Sequence, residues 1–207
     1  MAEQYSYPHL LLIDFNTREQ TGVVRTFVES IAPIGFQKDA IRGRVAILGG
    51  GPIIPERALL CMGNSLSTLQ PEIQQVVSIQ PMYSRISYLF SDPVVEGALA
   101  RPQDRVVQYN ASAQEVLPQL AEEYFDTVLM FRVPNIGTQL KMGLMDAIMR
   151  TLKRGGHFIG SGGEMKVIPP SPAYSIQSQV PLPNLDFSLY SYTNNWGFDL
   201  QKQHFTS

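Results

Sequence analysis

A run of glycines that follows directly on a short apolar segment constrains the fold of this chain more than any other feature. Residues 45–48 read Val-Ala-Ile-Leu, and Gly49, Gly50, Gly51 and Pro52 come next. A short apolar run that ends in glycines is typical of a buried strand turning sharply into a helix. Glycine permits the positive φ of such a turn and lets the backbone approach a ligand closely. A tight turn without any ligand explains the same residues equally well.

From residue 44 onward, apolar runs of strand length alternate with helical stretches. The patterns predict strands over residues 44–48, 75–79, 104–109, 125–131 and 157–159. They predict helices over residues 55–62, 82–90, 113–123 and 138–153. Ser112 and Glu115 form a capping-box pattern at the start of the third helix, and Gly155-Gly156 is expected to stop the last one. This alternation predicts an α/β fold with a mostly parallel sheet that is covered on both faces.

The two ends of the chain differ from this core. A helix is predicted over residues 21–34, so residues 1–43 are expected to form a helical cap. Residues 164–185 are rich in Pro and Ser, which predicts an irregular loop. Residues 186–193 and 196–205 are aromatic and roughly alternating, which predicts a terminal β-hairpin. A single domain accommodates the cap, a nucleotide-binding-like core over residues 44–163, and a Pro-rich loop with the hairpin over residues 164–207.

Composition restricts the class of protein and its partners. The hydrophobic share is 44% and the charged share 16%, which suits a globular protein. The formal net charge is -2, so there is no basic field for nucleic acid or for an anionic membrane. Cys61 is the one cysteine, and the three histidines lie far apart, so neither an internal disulfide nor a metal site is expected. With no leader and no apolar run of about 20 residues, we expect a cytoplasmic protein.

Polar residues just after the strands are the candidate ligands, because the crevice of such a sheet lies at the carboxyl ends of its strands. Gln80 follows the second strand, where nucleotide-binding folds often place an acidic residue for the ribose hydroxyls. Its uncharged amide is a weaker clamp, and an ordinary strand-end role is at least as frequent. Ala111 and Ser112 follow the third strand and either bracket an aromatic base or only cap a helix, and the cap is slightly favoured.

The fourth strand ends at Phe131, where a reacting group is expected in this architecture. Arg132 and Asn135 follow it, and they are the candidates for holding an acidic substrate group and for orienting a donor atom. Either residue is more often an ordinary surface-loop residue. The sequence contains no Gly-x-Ser-x-Gly nucleophile motif with plausible partners and no Gly-Lys-Ser/Thr phosphate loop.

Three segments share their pattern with one known family. They are the strand and glycine turn over 45–52, the Phe-Asp-Thr-Val run of residues 125–128, and the helix, Leu-Lys-Arg-Gly-Gly turn and strand over 145–159. Together they resemble the class I S-adenosylmethionine-dependent methyltransferase family, with Arg154 in place of that family's proline. The resemblance implies a Rossmann-like sheet of seven strands, mostly parallel with an antiparallel C-terminal hairpin. It also implies S-adenosylmethionine as cofactor, bound by Gly49, Gly50, Gly51, Gln80, Ala111, Ser112 and Phe131.

Two classes of function follow from this resemblance. The first is a methyltransferase for a small-molecule acceptor, with Arg132 and Asn135 facing that acceptor. The second is a non-catalytic methyltransferase-fold binding module or complex subunit, acting as a homodimer or in a protein complex. Gln80 in place of an acidic residue, together with Pro52 after the glycines, favours the second class. A flavin or nicotinamide oxidoreductase is a weaker reading, because the third glycine of its fingerprint and the acidic residue are missing.

Overall fold

The structure is a computed structural model that describes residues 4–6, 40–49, 73–79, 106–109, 111–131, 140–162, 168, 170–181, 185–187, 190–192 and 196–203. The strands in these residues are β1 (Gln4–Ser6), β2 (Gly43–Leu48), β3 (Ile73–Ile79), β4 (Val106–Tyr109), β5 (Phe125–Phe131), β6 (Leu152–Gly162), β7 (Tyr174–Pro181), β8 (Leu185–Phe187), β9 (Tyr190–Tyr192) and β10 (Trp196–Lys202). The helices are α1 (Ala113–Val116), which continues as a 3₁₀ turn (Leu117–Gln119), and α2 (Met145–Thr151), which is preceded by a π-helical turn (Leu140–Leu144).

Eight strands form one sheet in the order β1-β4-β3-β2-β5-β6-β10-β7. Strands β4, β3, β2, β5 and β6 pair in parallel. Strand β10 runs antiparallel to both of its neighbours, β6 and β7, and β1 runs antiparallel to β4. The expected Rossmann-like α/β sheet, mostly parallel with antiparallel C-terminal strands, is therefore confirmed. Strand β1 was not foreseen in the sequence.

The central strands of the sheet are buried on both faces, which explains their nearly continuous apolar runs. On one face Leu48, Val128 and Phe158 belong to a cluster with Val116 of α1 and Ile148 of α2. The opposite face is lined by residues that alternate with these, and they too are almost wholly buried: Val45, Ile47, Val76, Thr127, Leu129 and Ile159. The helices α1 and α2 thus cover one face of the sheet. The ends of the central strands are the place where a binding site can form.

The helix before β6 begins with a π-helical turn. Leu140, Leu144 and Ile148 are spaced by four residues, and all three are buried. Residues four apart lie on the same face of a helix. The spacing that predicted this helix therefore marks its buried face.

This helix ends earlier than the sequence predicted. The prediction extended it to Lys153 and used Gly155-Gly156 as its stop, but α2 ends at Thr151 and β6 begins at Leu152. The Thr151 hydroxyl donates to the Ala147 and Ile148 carbonyls at 2.9 and 3.2 Å, and these bonds tie its side chain to the last turn of the helix. Leu152 then pairs with Phe125, and His157 pairs with Thr127, so the two glycines lie in a bulge of the strand. The glycines belong to the strand and not to a helix end.

The tail corrects a second prediction. Residues 164–185 were expected to be an irregular loop, but β7 occupies Tyr174–Pro181 within them. Its Ser and Gln residues lack the apolar alternation that marks a strand. The predicted pairing within the terminal hairpin is also wrong, because β8 pairs with β9 in a separate two-stranded sheet. The antiparallel hairpin of the main sheet is formed by β7 and β10.

Helix α1 is also shorter than the predicted stretch over 113–123, because it tightens into the 3₁₀ turn that contains Pro118. The helices predicted over residues 21–34, 55–62 and 82–90 lie outside the described residues. Among the helices that the structure describes, none is long and apolar enough to cross a membrane.

Candidate functional site

The strand order of the sheet places the candidate site. Strands β3 and β4 follow β2 on one side of it, whereas β5 and β6 lie on the other side. The order therefore reverses between β2 and β5. Open α/β sheets bind their ligands at such a switch point, in the crevice outside the carboxyl ends of the strands. Here that edge is marked by the ends of β2, β3, β4 and β5, at Leu48, Ile79, Tyr109 and Phe131.

Gly49 makes the turn at the end of β2. Its φ is +66°, a left-handed conformation that favours glycine. Its N–H donates to the carbonyl of Ile79 at 2.9 Å, so it joins the ends of β2 and β3. Because this N–H already has an acceptor, Gly49 shapes the turn instead of donating that bond to a ligand. Gly50 and Gly51, the other two glycines of the predicted site, lie outside the described residues.

Ser112 lies at the end of β4 as the first residue before α1. One oxygen of the Glu115 carboxylate accepts hydrogen bonds from the Ser112 N–H and from the Ser112 hydroxyl, both at 2.8 Å. These bonds hold the pKa of Glu115 below its ordinary value, with the hydroxyl as the larger cause. The predicted role of Ser112 as a helix cap, with Glu115 as its capping-box partner, is confirmed. Both of its donors are occupied by Glu115.

The other predicted site residues divide into two groups. Ala111 is half-buried and packs against the core cluster, next to Tyr109 of β4. Burial also raises the pKa of the Tyr109 hydroxyl above its ordinary value, and the nearby Tyr124 adds to this effect. The backbone of Phe131 ends β5. Three further predicted residues lie outside the described part of the chain: Gln80, Arg132 and Asn135. The side chain of Phe131 is outside it as well.

One residue at this edge was missed by the sequence reasoning. Ser161 of β6 pairs with Phe131 of β5 and is only 3% exposed. It is the one polar side chain of the run Gly160-Ser161-Gly162-Gly163 at the end of the predicted fifth strand. The glycines around this serine, at the end of a buried strand, are the signal in the sequence that marks it.

The Asp of the Phe-Asp-x-Val pattern, Asp126, lies at the amino ends of the parallel strands, away from the candidate site at their carboxyl ends. The Asp126 carboxylate accepts hydrogen bonds from the Lys153 ammonium at 2.8 and 2.9 Å and from the Arg44 N–H at 2.8 Å. Asp126 therefore joins the amino ends of β2, β5 and β6. The Arg44 guanidinium lies 4.0 Å from the centre of the Tyr124 ring, a cation–π contact at the same edge. This cluster stabilises the sheet far from the candidate crevice.

A second polar cluster joins β6 to β10. Nδ1 of His157 lies 2.8 Å from Oδ1 of Asp199, a carboxylate that is almost wholly buried. His157 pairs with Thr127, four residues before Ser161 on the same strand. The pair is thus more than about 10 Å from the carboxyl edge, at the strand's rise of roughly 3.3 Å per residue. Among the described residues, no group of three or more His, Cys, Asp or Glu is arranged to hold a metal ion.

Comparisons with known proteins agree with this architecture. No family profile and no curated protein matches the chain. Solved structures do match at 11% sequence identity. A conserved hypothetical protein from Streptococcus pyogenes has a TM-score of 0.56, with 88% of this chain and 94% of that one covered. A candidate methylase from Haemophilus influenzae has a TM-score of 0.54, with 87% and 99% covered.

A third structure, a candidate methyltransferase from Escherichia coli, has a TM-score of 0.50, with 93% of this chain and 91% of that one covered. These similarities extend over nearly the whole length of each protein. The chain therefore has the Rossmann-like fold of the class I methyltransferases. The strand order around the switch point and the antiparallel β10 are the features of this fold that the described residues display.

Proposed function

We propose that this protein is an S-adenosylmethionine-dependent methyltransferase that acts on a small molecule. The observation that carries the proposal is the positive-φ turn at Gly49, at the switch point of a sheet with the class I methyltransferase fold. Two proteins that share this fold are described as a candidate methylase and a candidate methyltransferase. The turn leaves backbone without side chains at the mouth of the crevice, where a nucleoside ligand must approach closely.

S-adenosylmethionine supplies a methyl group on a positively charged sulfur, which a nucleophile attacks in line. The protein's contribution to such a transfer is mainly the positioning of the two reactants. In this proposal Gly49, Gly50 and Gly51 form the turn beneath the cofactor. Gln80, Ala111, Ser112 and Phe131 complete the cofactor site. Arg132 and Asn135 hold and orient the acceptor.

Charge supports a small-molecule acceptor over a nucleic acid. The chain carries 16 Lys and Arg against 18 Asp and Glu, so it lacks the excess of cations that attracts a phosphate backbone. The single cysteine is compatible with a reducing compartment, and cytoplasmic location is part of the proposal. We expect no association with membranes.

One observation supports a second function, that of a non-catalytic binding module or complex subunit with the same fold. Glu115 occupies both donors of Ser112, which lies where an adenine base is expected at the end of β4. An adenine base that accepts a hydrogen bond from the Ser112 N–H must first displace the Glu115 carboxylate. Gln80, in the place of an acidic ribose ligand, points in the same direction. In this second function the chain assembles as a homodimer or with other proteins.

Calorimetric titration with S-adenosylmethionine and S-adenosylhomocysteine separates the two functions. The wild type, checked to be free of carried-over cofactor, is compared with Gly51→Arg, which adds a bulky cation to the glycine turn. Gln114→Arg adds the same cation at an exposed position of α1 and serves as the control. Micromolar binding by the wild type and the control, with loss in Gly51→Arg, supports the methyltransferase. The absence of heat from folded wild type at millimolar ligand rules it out and favours the binding module.

A further inference from the structure

The position of Ser161 in the sheet continues the row of residues that forms the candidate cofactor site. Ile47 of β2 pairs with Leu129 of β5, so Gly49 is level with Phe131, which pairs with Ser161 of β6. Neighbouring strands are about 4.8 Å apart, which places the Ser161 backbone roughly 10 Å from the Gly49 turn. Both residues therefore lie at the same carboxyl edge, on opposite sides of β5.

Ser161 is a buried residue at this edge, only 3% exposed. Among the residues that the structure describes, none forms a hydrogen bond with its hydroxyl. The hydroxyl can both donate and accept, so a ligand at this edge can use it without displacing a described residue.

The described neighbours of Ser161 on β6 and β10 are glycines. Gly160 and Gly162 flank it on β6, and Gly197 pairs with it on β10. Gly160 has no room for a side chain, because a Cβ there would lie 2.5 Å from the Met130 carbonyl oxygen and 2.6 Å from the Phe198 ring. Ser161 itself alternates with Gly160 and lies on the other face of the strand. The described residues level with it after β2 and on β5 and β10 are Gly49, Phe131 and Gly197, so Ser161 has the one polar side chain among these four.

We propose that the Ser161 hydroxyl binds the methyl acceptor, an inference that rests on the proposed methyltransferase function. All predicted cofactor residues except Phe131 lie in or after the turns that follow β2, β3 and β4, so in this proposal the adenosine part occupies that side of the switch point. The candidate acceptor residues Arg132 and Asn135 follow β5, and β6 is the next strand in the sheet. Ser161 is therefore on the acceptor side. The hydroxyl donates to, or accepts from, a polar group of the acceptor and fixes its orientation toward the methyl group.

The chemistry of the row defines the class of acceptor. The described neighbours of Ser161 on β6 and β10 are glycines, and the Asp199 carboxylate on the same face is already paired with His157. A neutral hydroxyl suits an uncharged hydroxyl or amide group as its partner. We therefore infer a small acceptor that carries a neutral polar group close to its nucleophilic atom.

The test compares Ser161→Ala and Ser161→Cys with the wild type. Cysteine fills the space of serine but forms only weak hydrogen bonds, so it separates a chemical role from loss of packing. Ser175→Ala removes a hydroxyl from β7 that is bonded to Gln177 and Gln203, and it serves as the control. Binding of S-adenosylmethionine is measured by calorimetry. Transfer from methyl-tritiated S-adenosylmethionine is measured with two probes from the source cells, a small-molecule extract and total RNA.

We expect wild-type transfer to the small-molecule extract. Both Ser161 variants should bind the cofactor as the wild type does and should require about tenfold more extract for half-maximal transfer, as expected for one lost hydrogen bond. Ser175→Ala should behave as the wild type. Retention of transfer by Ser161→Cys, transfer to RNA alone, or no transfer by a wild type that binds the cofactor overturns the assignment of Ser161. Failure of the wild type to bind the cofactor instead refutes the proposed function itself.

Discussion

Individual residues outside the candidate site hold the sheet together, and Asp126 is the clearest case. Its side chain is 22% exposed, and its carboxylate accepts hydrogen bonds from the Lys153 ammonium and from the Arg44 N–H. Asp126→Asn keeps the shape but removes the ion pair, so we expect a loss of about 1–2 kcal/mol in the free energy of unfolding. Urea denaturation measures it. Glu123→Gln breaks the more exposed pair with Arg154 and should cost only a few tenths of a kcal/mol. Equal losses in both variants would contradict this account.

The pKa of Glu115 provides a second prediction for a single residue. Because Ser112 bonds stabilise its carboxylate, the pKa lies below the ordinary 4.5. A lowered pKa means that this contribution to stability is complete above the pKa of the unfolded chain and is lost as the pH falls through the folded value. NMR titration of the carboxyl carbon should give a pKa that rises in Ser112→Ala and stays unchanged in Ser175→Ala. An unchanged pKa in Ser112→Ala would show that the hydroxyl contributes nothing.

Among the elements, the π-helical turn before α2 depends on Gly143. Its φ is +90°, yet a Cβ at this position would meet nothing within 4 Å. The requirement is therefore one of backbone conformation and not of space, and Gly143→Ala should cost about 1–2 kcal/mol of stability. Gly143→Asn should cost less, since asparagine tolerates positive φ better. Thermal denaturation of the two variants measures the difference. Equal stability of Gly143→Ala and wild type would refute the strained turn.

The elements also show what a sequence pattern can and cannot predict. Strand β5 was predicted to the residue, and β2 and β3 to within two, because buried central strands are continuous apolar runs. Strand β7 was missed because its edge position tolerates Ser and Gln on both sides. The bulge at Gly155 was read as a helix end, since glycine marks both. Within the candidate site, the turn at Gly49 and the helix cap at Ser112 were predicted from the sequence. The glycines around Ser161 mark a strand end, but its pairing with Phe131 across strands is not visible in a single sequence.

For the whole molecule, the sequence predicted a mostly parallel sheet but not the order of its strands. Alternating strands and helices define a parallel sheet, but they leave several orders open. The position of β10 between β6 and β7 is a long-range feature, because the last strand of the chain enters between two earlier ones. Phe198, Asp199 and Leu200 of this strand are buried, and Phe198 makes an edge-to-face contact with Phe158 at 5.0 Å. Formation of the core thus requires residues from both halves of the chain.

Removal of the C-terminal strand should therefore prevent folding of the whole domain. Deletion of residues 194–207 leaves β6 and β7 without their shared partner and removes a buried aromatic side chain that alone is worth about 3–5 kcal/mol. Such a loss approaches the 5–15 kcal/mol total stability of an ordinary domain. We expect the truncated chain to lack a cooperative thermal transition in circular dichroism, whereas deletion of residues 204–207 should preserve it. A cooperative transition in the longer deletion would mean that the five parallel strands fold independently of β10.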